Sequence, residues 1–471
     1  MSAHTSAWTG RFGSFPQSLP YGRGSDQSRD RQRTLSCGRG VRVLCLALCL
    51  VPAGARAQTG PDLAKILERL DRLEQENRAL SEQVRALQAQ LGISPPPPPN
   101  VEERLEIEER RTQEQAQTKV EASQKFPIRL TGMALFNAFA NSRQSGGVDY
   151  PVTAAAPGAG HSGATVRQTI VGLEFDGPRA IGGGKVSGNV YMDFFAGGTN
   201  STMRVRTAAV EIAWRDRSVL AGMEKPIFNP REPSSLAQVG VSPLTGAGNL
   251  WLWLPEVRFQ QEIRLGANDG VTAQVGAVQT RELGPYVGTV TPEAARPGAE
   301  GRANFHHNLS GERRLEFAAG FHASTTHAGG YSVPSNLFSM DWFFNPWKAV
   351  EFTGAFYSGQ NVAHLGSGTR QGFAIYDRRG YAVESRGGWG QLTLHALPRL
   401  DFHLFTGQVD DANHELAPGA IGKNLLFGGN AYFRVAPNVL MGLEASQLRT
   451  MYPGQGVRIN NHYDLALAYL F

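Results

Sequence analysis

The chain of 471 residues has only three cysteines, Cys37, Cys45 and Cys49, and all of them lie in its first 57 residues. Beyond that point no disulfide, thiolate zinc site or thiol nucleophile is possible. Charged residues are few, at 18%. No apolar run reaches the roughly 18 residues that a membrane-crossing helix needs. The eleven histidines show no metal-ligand spacing, and His306 and His307, being adjacent, point to opposite faces of a strand. Ser310 near His306 has no acidic orienter beside it. No glycine-rich segment follows a strand and opens a helix, so the 55 glycines read as turns and close packing rather than as a phosphate cradle. The sequence therefore implies no catalytic residues, no metal and no cofactor.

The net charge of +5 is equally uninformative about partners. Residues 1–57 hold eight Arg and two Asp, so removing their six net positive charges leaves −1 for the rest. A nucleic-acid partner is not indicated. Those first residues have the order of a secretory signal: Arg39 and Arg42, the apolar run Val43–Val51, then the small-residue site Ala55–Ala57. Residues 1–57 are thus an N-terminal extension and signal peptide.

Residues 58–92 predict a coiled coil. Leu63, Ile66, Leu70, Leu73, Asn77, Leu80, Val84, Leu87 and Leu91 occupy successive a and d positions. Asn77 at an a position is common in dimers, whereas "RLDRLE" (Arg69–Glu74) resembles a trimerisation signature of short coiled coils, and three strands are favoured on that resemblance. Residues 93–125 are a linker, with five consecutive prolines in "SPPPPPN" followed by a charged segment.

From residue 126 to 471 the helical period disappears. About sixteen segments alternate apolar and polar residues: 128–140, 165–176, 185–196, 202–214, 218–224, 256–267, 271–281, 301–309, 312–323, 336–345, 348–358, 386–397, 399–409, 423–435, 438–450 and 458–471. Every second connection is tight, such as "ANDG" (267–270) and "NPWK" (345–348); the others are mostly long, including 225–255 and 324–335. That parity, with apolar residues on one face of each strand, predicts an all-β transmembrane barrel of about sixteen antiparallel strands, both ends on the short-turn rim, preceded by the coiled-coil helix. Trp214, Trp347 and Phe343 lie at or beside short turns, where an aromatic girdle belongs. Arg204 and Arg206 share parity with Val210 and Ile212, so a bulge is expected between them. The last strand puts Tyr463, Leu465, Leu467, Tyr469 and Phe471 on one face. A closing strand that ends on Phe resembles the terminal signature of proteins assembled into the outer membrane, which implies Phe471 as an assembly signal.

"PIRLTGMALFNAFANS" (127–142) and "VLAGMEKPIFNP" (219–230) resemble the first strand and the strand before the constriction loop of the DcaP-like trimeric porins. The resemblance implies a homotrimer of sixteen-stranded channels favouring small anionic solutes, assembled by the barrel-assembly machinery among outer-membrane lipid and lipopolysaccharide. It also places the coiled coil in the periplasm. The third long loop, Lys225–Pro255, is expected to fold inward and narrow the lumen; the alternative is a surface loop with Trp251 and Trp253 packed against a neighbouring subunit. In residues 126–471, 24 Arg and only 4 Lys face 26 acidic residues, and guanidinium forks suit carboxylate and phosphate. The candidate pore-lining residues are Arg167, Arg204, Arg206, Arg258, Arg264 and Arg302 on strands, with Lys225, Arg231 and Glu232 on the loop. The competing reading of these arginines is cross-strand pairing with Asp and Glu, or binding of lipopolysaccharide. The competing function is a structural or adhesive protein with the barrel as anchor and the coil as tether.

Overall fold

The structure is a computed structural model of the single chain. It describes residues 127–196, 201–293 and 296–471, together with the helical residues Arg72, Gln75, Glu76, Arg78, Ala79, Leu80, Glu82 and Gln83. Leu80, a heptad position, is 59% exposed in the single chain. The other proposed seam residues, the signal peptide and the linker lie outside the described residues.

Seventeen strands form one sheet. They are β1 (Ile128–Asn141), β2 (His161–Thr165), β3 (Ile170–Arg179), β4 (Lys185–Asp193), β5 (Arg204–Ala213), β6 (Arg217–Glu224), β7 (Leu254–Arg264), β8 (Asp269–Gln279), β9 (Pro297–Asn308), β10 (Arg314–Ala328), β11 (Tyr331–Trp347) and β12 (Val350–Gln360), and, after the loop hairpin β13 (Phe373–Tyr376) and β14 (Arg379–Ala382), β15 (Glu384–Leu397), β16 (Leu400–Asp411), β17 (Lys423–Ala436), β18 (Val439–Tyr452) and β19 (Gly456–Leu470). Strands β2 and β3 lie end to end along β1, and β1 also pairs with β19. The wall is therefore sixteen strands around and closed.

Closure is sealed at the chain's end. The Gly132 amide donates to the Phe471 carbonyl at 3.0 Å, and the Phe471 amide donates to the Gly132 carbonyl at 3.2 Å. A Cβ on Gly132 would sit 2.3 Å from the Ile170 carbonyl and 2.8 Å from the Phe471 ring, so only glycine fits this seam.

The two faces of the wall meet different surroundings. On β19, Tyr463, Leu465, Leu467 and Tyr469 are exposed while His462, Asp464, Ala466 and Ala468 are buried. On β7, Val257, Phe259 and Ile263 are exposed while Glu256 and Arg258 are buried. Each large apolar side chain kept in water forgoes about 1.5–3 kcal/mol of transfer energy. A ring of them around the outside is stable only against an apolar solvent, and strand backbones there require a closed ladder. Trp347 stands exposed at a short turn, and the Trp214 Nε1 caps the Ile181 carbonyl in another.

Two local expectations resolve differently and a third is met. Residues 324–335 are not a long loop. Strands β10 and β11 continue as a tall hairpin through Gly329 and Gly330, whose φ values of 57° and 82° suit a two-residue turn. Phe343 does not join the girdle: it is buried on the inner face, beneath the guanidinium groups of Arg231 and Arg314 at 5.7 and 4.6 Å. The bulge is present. Register slips between Tyr191 and Met192, opposite Thr207 and Val205, so Arg206 is the extra residue.

Candidate functional site: a loop folded into a charged lumen

Residues 225–253 connect β6 to β7 and run inside the barrel. Their path can be followed by what they touch. The Ile227 amide donates to Glu300 on β9 at 2.8 Å, and the Ser339 hydroxyl on β11 donates to the Phe228 carbonyl at 2.9 Å. The Ser234 amide donates to Gln391 on β15 at 2.7 Å, and the Ser235 hydroxyl to Glu444 on β18 at 2.6 Å. Asn137 on β1 donates to the Leu236 carbonyl at 2.9 Å, and Gln168, just before β3, bonds the Ala237 carbonyl and the Val239 and Gly240 amides. No surface loop could reach inner-face side chains on strands so far apart around one barrel.

Apolar packing fixes the loop. Leu236 and Val239 pack with Met133, Leu135, Ile170, Tyr432 and Leu440; Leu244 and Ala247 pack with Trp389, Phe405 and Leu426; Phe228 and Leu250 pack with Leu337, Tyr357 and Val409. Its prolines supply turns, as where the Asn229 amide returns to the Pro226 carbonyl at 3.2 Å. The inner face thus carries a core of its own, and Trp253 and Trp251 meet edge to face at 4.9 Å within it.

The charged side chains fall into groups. In the first, the fully buried Asp193 accepts from Arg204 Nε and Nη2 at 2.8 and 3.0 Å and from Arg206 Nη1 at 2.9 Å. Arg206 also donates to the Val239 carbonyl at 2.7 Å, and Arg204 to the Gly240 carbonyl. Both guanidinium groups lie over Trp253, at 4.4 and 5.4 Å, and Arg204 and Arg167 flank Phe195. Arg167 itself faces Asp149 at 3.4 Å. In the second, Asp341 takes a bidentate contact from Arg302 at 2.7 and 2.8 Å and another from Arg231 Nε at 2.6 Å, while Arg231 and Arg314 share Glu316. In the third, at the root of the loop, Lys225 pairs with Glu232 at 2.7 Å and Arg258 with Glu256 at 3.3 Å, with Glu224 beside them.

Two loop groups have displaced pKa values with clear causes. Burial works against the Glu232 carboxylate, but Lys225 and Arg206 outweigh it and hold the group below the usual range. Burial likewise opposes the Arg231 charge, and Glu316 and Asp341 outweigh it, so Arg231 is held above its ordinary value.

Of the sequence-derived candidates, Arg204, Arg206, Arg231, Arg258, Arg302, Lys225 and Glu232 come together around the loop, and Arg167 stands beside the first group. Arg264 does not. It is exposed at the short-turn end of β7, six residues and about 20 Å along the strand from Arg258. Each lumenal candidate has an ion-pair partner: across strands for Arg204 and Arg206 with Asp193, along β7 for Arg258 with Glu256, and from the loop for Arg231 with Asp341. Sequence reasoning missed the carboxylates that organise them, Asp193, Asp341 and Glu316, because cross-strand partners leave no mark in local spacing.

The barrel has the fold of the outer membrane channel DcaP of Acinetobacter baumannii, with a TM-score of 0.63 at 17% identity over 73% of this chain and 97% of that one. It is also similar to an anion-selective porin from Comamonas acidovorans, with a TM-score of 0.51 at 11% identity over 73% of this chain and 99% of that one. At such identities the likeness is one of fold. No protein-family model matches the chain, and no curated protein matches it in sequence.

Proposed function

We propose that this protein is a non-enzymatic porin of the bacterial outer membrane, passing small hydrophilic solutes with a mild preference for anions. The observation that carries the reading is a closed barrel whose inner face holds a structured loop rimmed by charged side chains. Passive selectivity needs such groups at a narrowing. An anchor for an adhesin needs none. The anion preference is supported by the pairing pattern. Asp193 serves two arginines, and Asp341 with Glu316 serves three, so each group has one positive charge in excess. Glu224, Glu232 and Glu256 against Lys225 and Arg258 give the loop root the opposite excess, and Glu300 and Glu444 also bond the loop from the wall, so the arginine excess of the first two groups supports a small preference only.

Planar-bilayer recording tests this. Purified protein should conduct, and a salt gradient should give a reversal potential on the anion side. Arg258→Ser should move that potential toward cations, because a buried charge beside the loop is screened less by salt than an exposed one. Arg264→Ser, at the rim, should leave it unchanged. Absence of conductance would remove the porin reading.

We further infer a homotrimer with the heptad segment in the periplasm, embedded in lipid and lipopolysaccharide and inserted by the barrel-assembly machinery with Phe471 as its signal. Cross-linking of the intact protein should trap trimers. Deleting residues 58–100 should lower the temperature at which trimers dissociate while leaving heat-modifiable barrels. Monomers alone on cross-linking would contradict the heptad reading.

A further inference from the structure

Beside the inner loop, which the connection before Arg370 touches where the Leu252 amide donates to the Leu365 carbonyl at 3.2 Å, three long-rim connections line an open pocket. The lining comes from residues 283–287, 369–371 and 417–420, and the pocket is about 560 Å³. That is within the size of sites that hold small organic ligands, about 300–1,000 Å³. Its walls include Pro285, Tyr286, Pro418 and the backbones of Gly284 and Gly419, and its one charged lining residue is Arg370.

The frame is tied together from all three loops. The Tyr286 hydroxyl donates to the Glu415 carbonyl at 2.9 Å and accepts from the Ala417 amide at 3.1 Å. The Tyr286 amide donates to the Phe373 carbonyl at 2.9 Å, and the Ile375 amide to the Val287 carbonyl at 3.0 Å. Gln371 donates to Asp411 at 3.0 Å and to the Ile421 carbonyl at 2.8 Å, and accepts from the Ile421 amide at 2.7 Å. The cavity is therefore preformed, and the Asp411 carboxylate is already engaged by Gln371.

Arg370 is placed at a cost. Its φ of 60° is in the left-handed region, which a residue with a Cβ adopts only where the surroundings enforce it. Its neighbour Gln371 is locked by three hydrogen bonds, so the strain is imposed. Unlike the lumenal arginines, Arg370 has no ion-pair, hydrogen-bond or ring partner among the described residues. Arg370 is exposed at the mouth of this open pocket, so its guanidinium is solvated and within reach of a ligand while its backbone is held in place by Gln371.

We propose that this cavity is a capture site for a small organic anion, with the planar fork of Arg370 holding a carboxylate or phosphate bidentately and Tyr286, Pro285 and Pro418 packing against its carbon skeleton. The inference deepens the anion-porin reading by giving the solute a docking point on the long-loop rim before the constriction.

The test is binding to the full-length protein in detergent, read by saturation-transfer NMR with 4-nitrobenzoate and 4-nitrophenyl phosphate as probes. Wild type should bind at least one of them, and the preferred probe distinguishes a carboxylate from a phosphate site. Arg370→Gln should weaken binding about tenfold, the loss expected for about 1.4 kcal/mol. Arg370→Lys should recover part of it, because charge survives but the fork does not. Ala420→Phe, which fills the cavity without altering charge, should also weaken it. Binding of neither probe by wild type, or equal binding by wild type and Arg370→Gln, overturns the proposal. Because this readout needs no conduction, its failure and the failure of the porin reading are separate results.

Discussion

Gly132→Val should yield a chain that is made and exported but does not form a closed, heat-modifiable barrel. The side chain would have to occupy space 2.3 Å from the Ile170 carbonyl and 2.8 Å from the Phe471 ring. Overpacking of this kind costs about 1–3 kcal/mol when the surroundings can yield. Here one neighbour is strand backbone, so β1 must move away from β3 or from the end of β19. Either displacement breaks the paired hydrogen bonds between Gly132 and Phe471. In lipid those groups find no water in exchange, and each orphaned backbone group costs several kcal/mol. Deleting Phe471 should be milder, since it removes the same two bonds without forcing the strands apart. Refolding from urea into detergent micelles, followed by unheated and heated gels, compares the three proteins. The expected order of folded fraction is wild type, then the Phe471 deletion, then Gly132→Val. A normal heat-modifiable band from Gly132→Val would mean that the seam between first and last strands lies elsewhere.

Much of the barrel was legible because two solvents impose a period of two. The strand 256–267 alternates Val257, Phe259 and Ile263 with Glu256, Arg258 and Glu262, and the exposed and buried faces follow that parity. Legibility failed where strand pairing continues without a clear alternation to mark it. The segment "STTHAGGYSV" alternates too weakly to be read as strand, yet β10 and β11 pair through it, from Ser324 with Ser335 to Ala328 with Tyr331. Charge pairing was illegible for a different reason. Arg231 and Asp341 are 110 residues apart in the chain and meet only because the loop crosses to β11. The sequence marks the arginines as unusual against four lysines, but which acids neutralise them is a property of register and loop path. Arg258 and Arg264 show the same limit in one strand, since parity places both inward while height separates them.

Arg231→Met should loosen the inner loop without unfolding the barrel. The substitution keeps most of the side chain's length and removes its charge from between Asp341 and Glu316. Breaking a buried pair commonly costs about 3–5 kcal/mol, because an uncompensated charge remains. In this lumen Arg302 still covers Asp341 and Arg314 still covers Glu316, so a local loss nearer 2 kcal/mol is expected. The segment from Asn229 to Pro233 then lacks its charged anchor, while the Ile227–Glu300 and Phe228–Ser339 bonds hold the stretch before it. Single-channel records should show added open-channel noise and substates, and the reversal potential should move toward cations as one positive charge leaves the second group. Arg302→Met removes an equal charge from the wall while the loop keeps Arg231 on Asp341. It should shift the potential similarly with little added noise, and comparing the two separates charge from tethering. A second anchor predicts the pH dependence. The Glu232 carboxyl is held below its ordinary value, so the Lys225–Glu232 pair contributes fully above the unfolded carboxyl's pKa of about 4.3 and is lost only as pH falls through the lower folded value. Loop noise from this pair should therefore be flat from pH 8 to about 5 and rise only in stronger acid. Quiet, unaltered channels from Arg231→Met at neutral pH would show that the three apolar clusters alone hold the loop in the lumen.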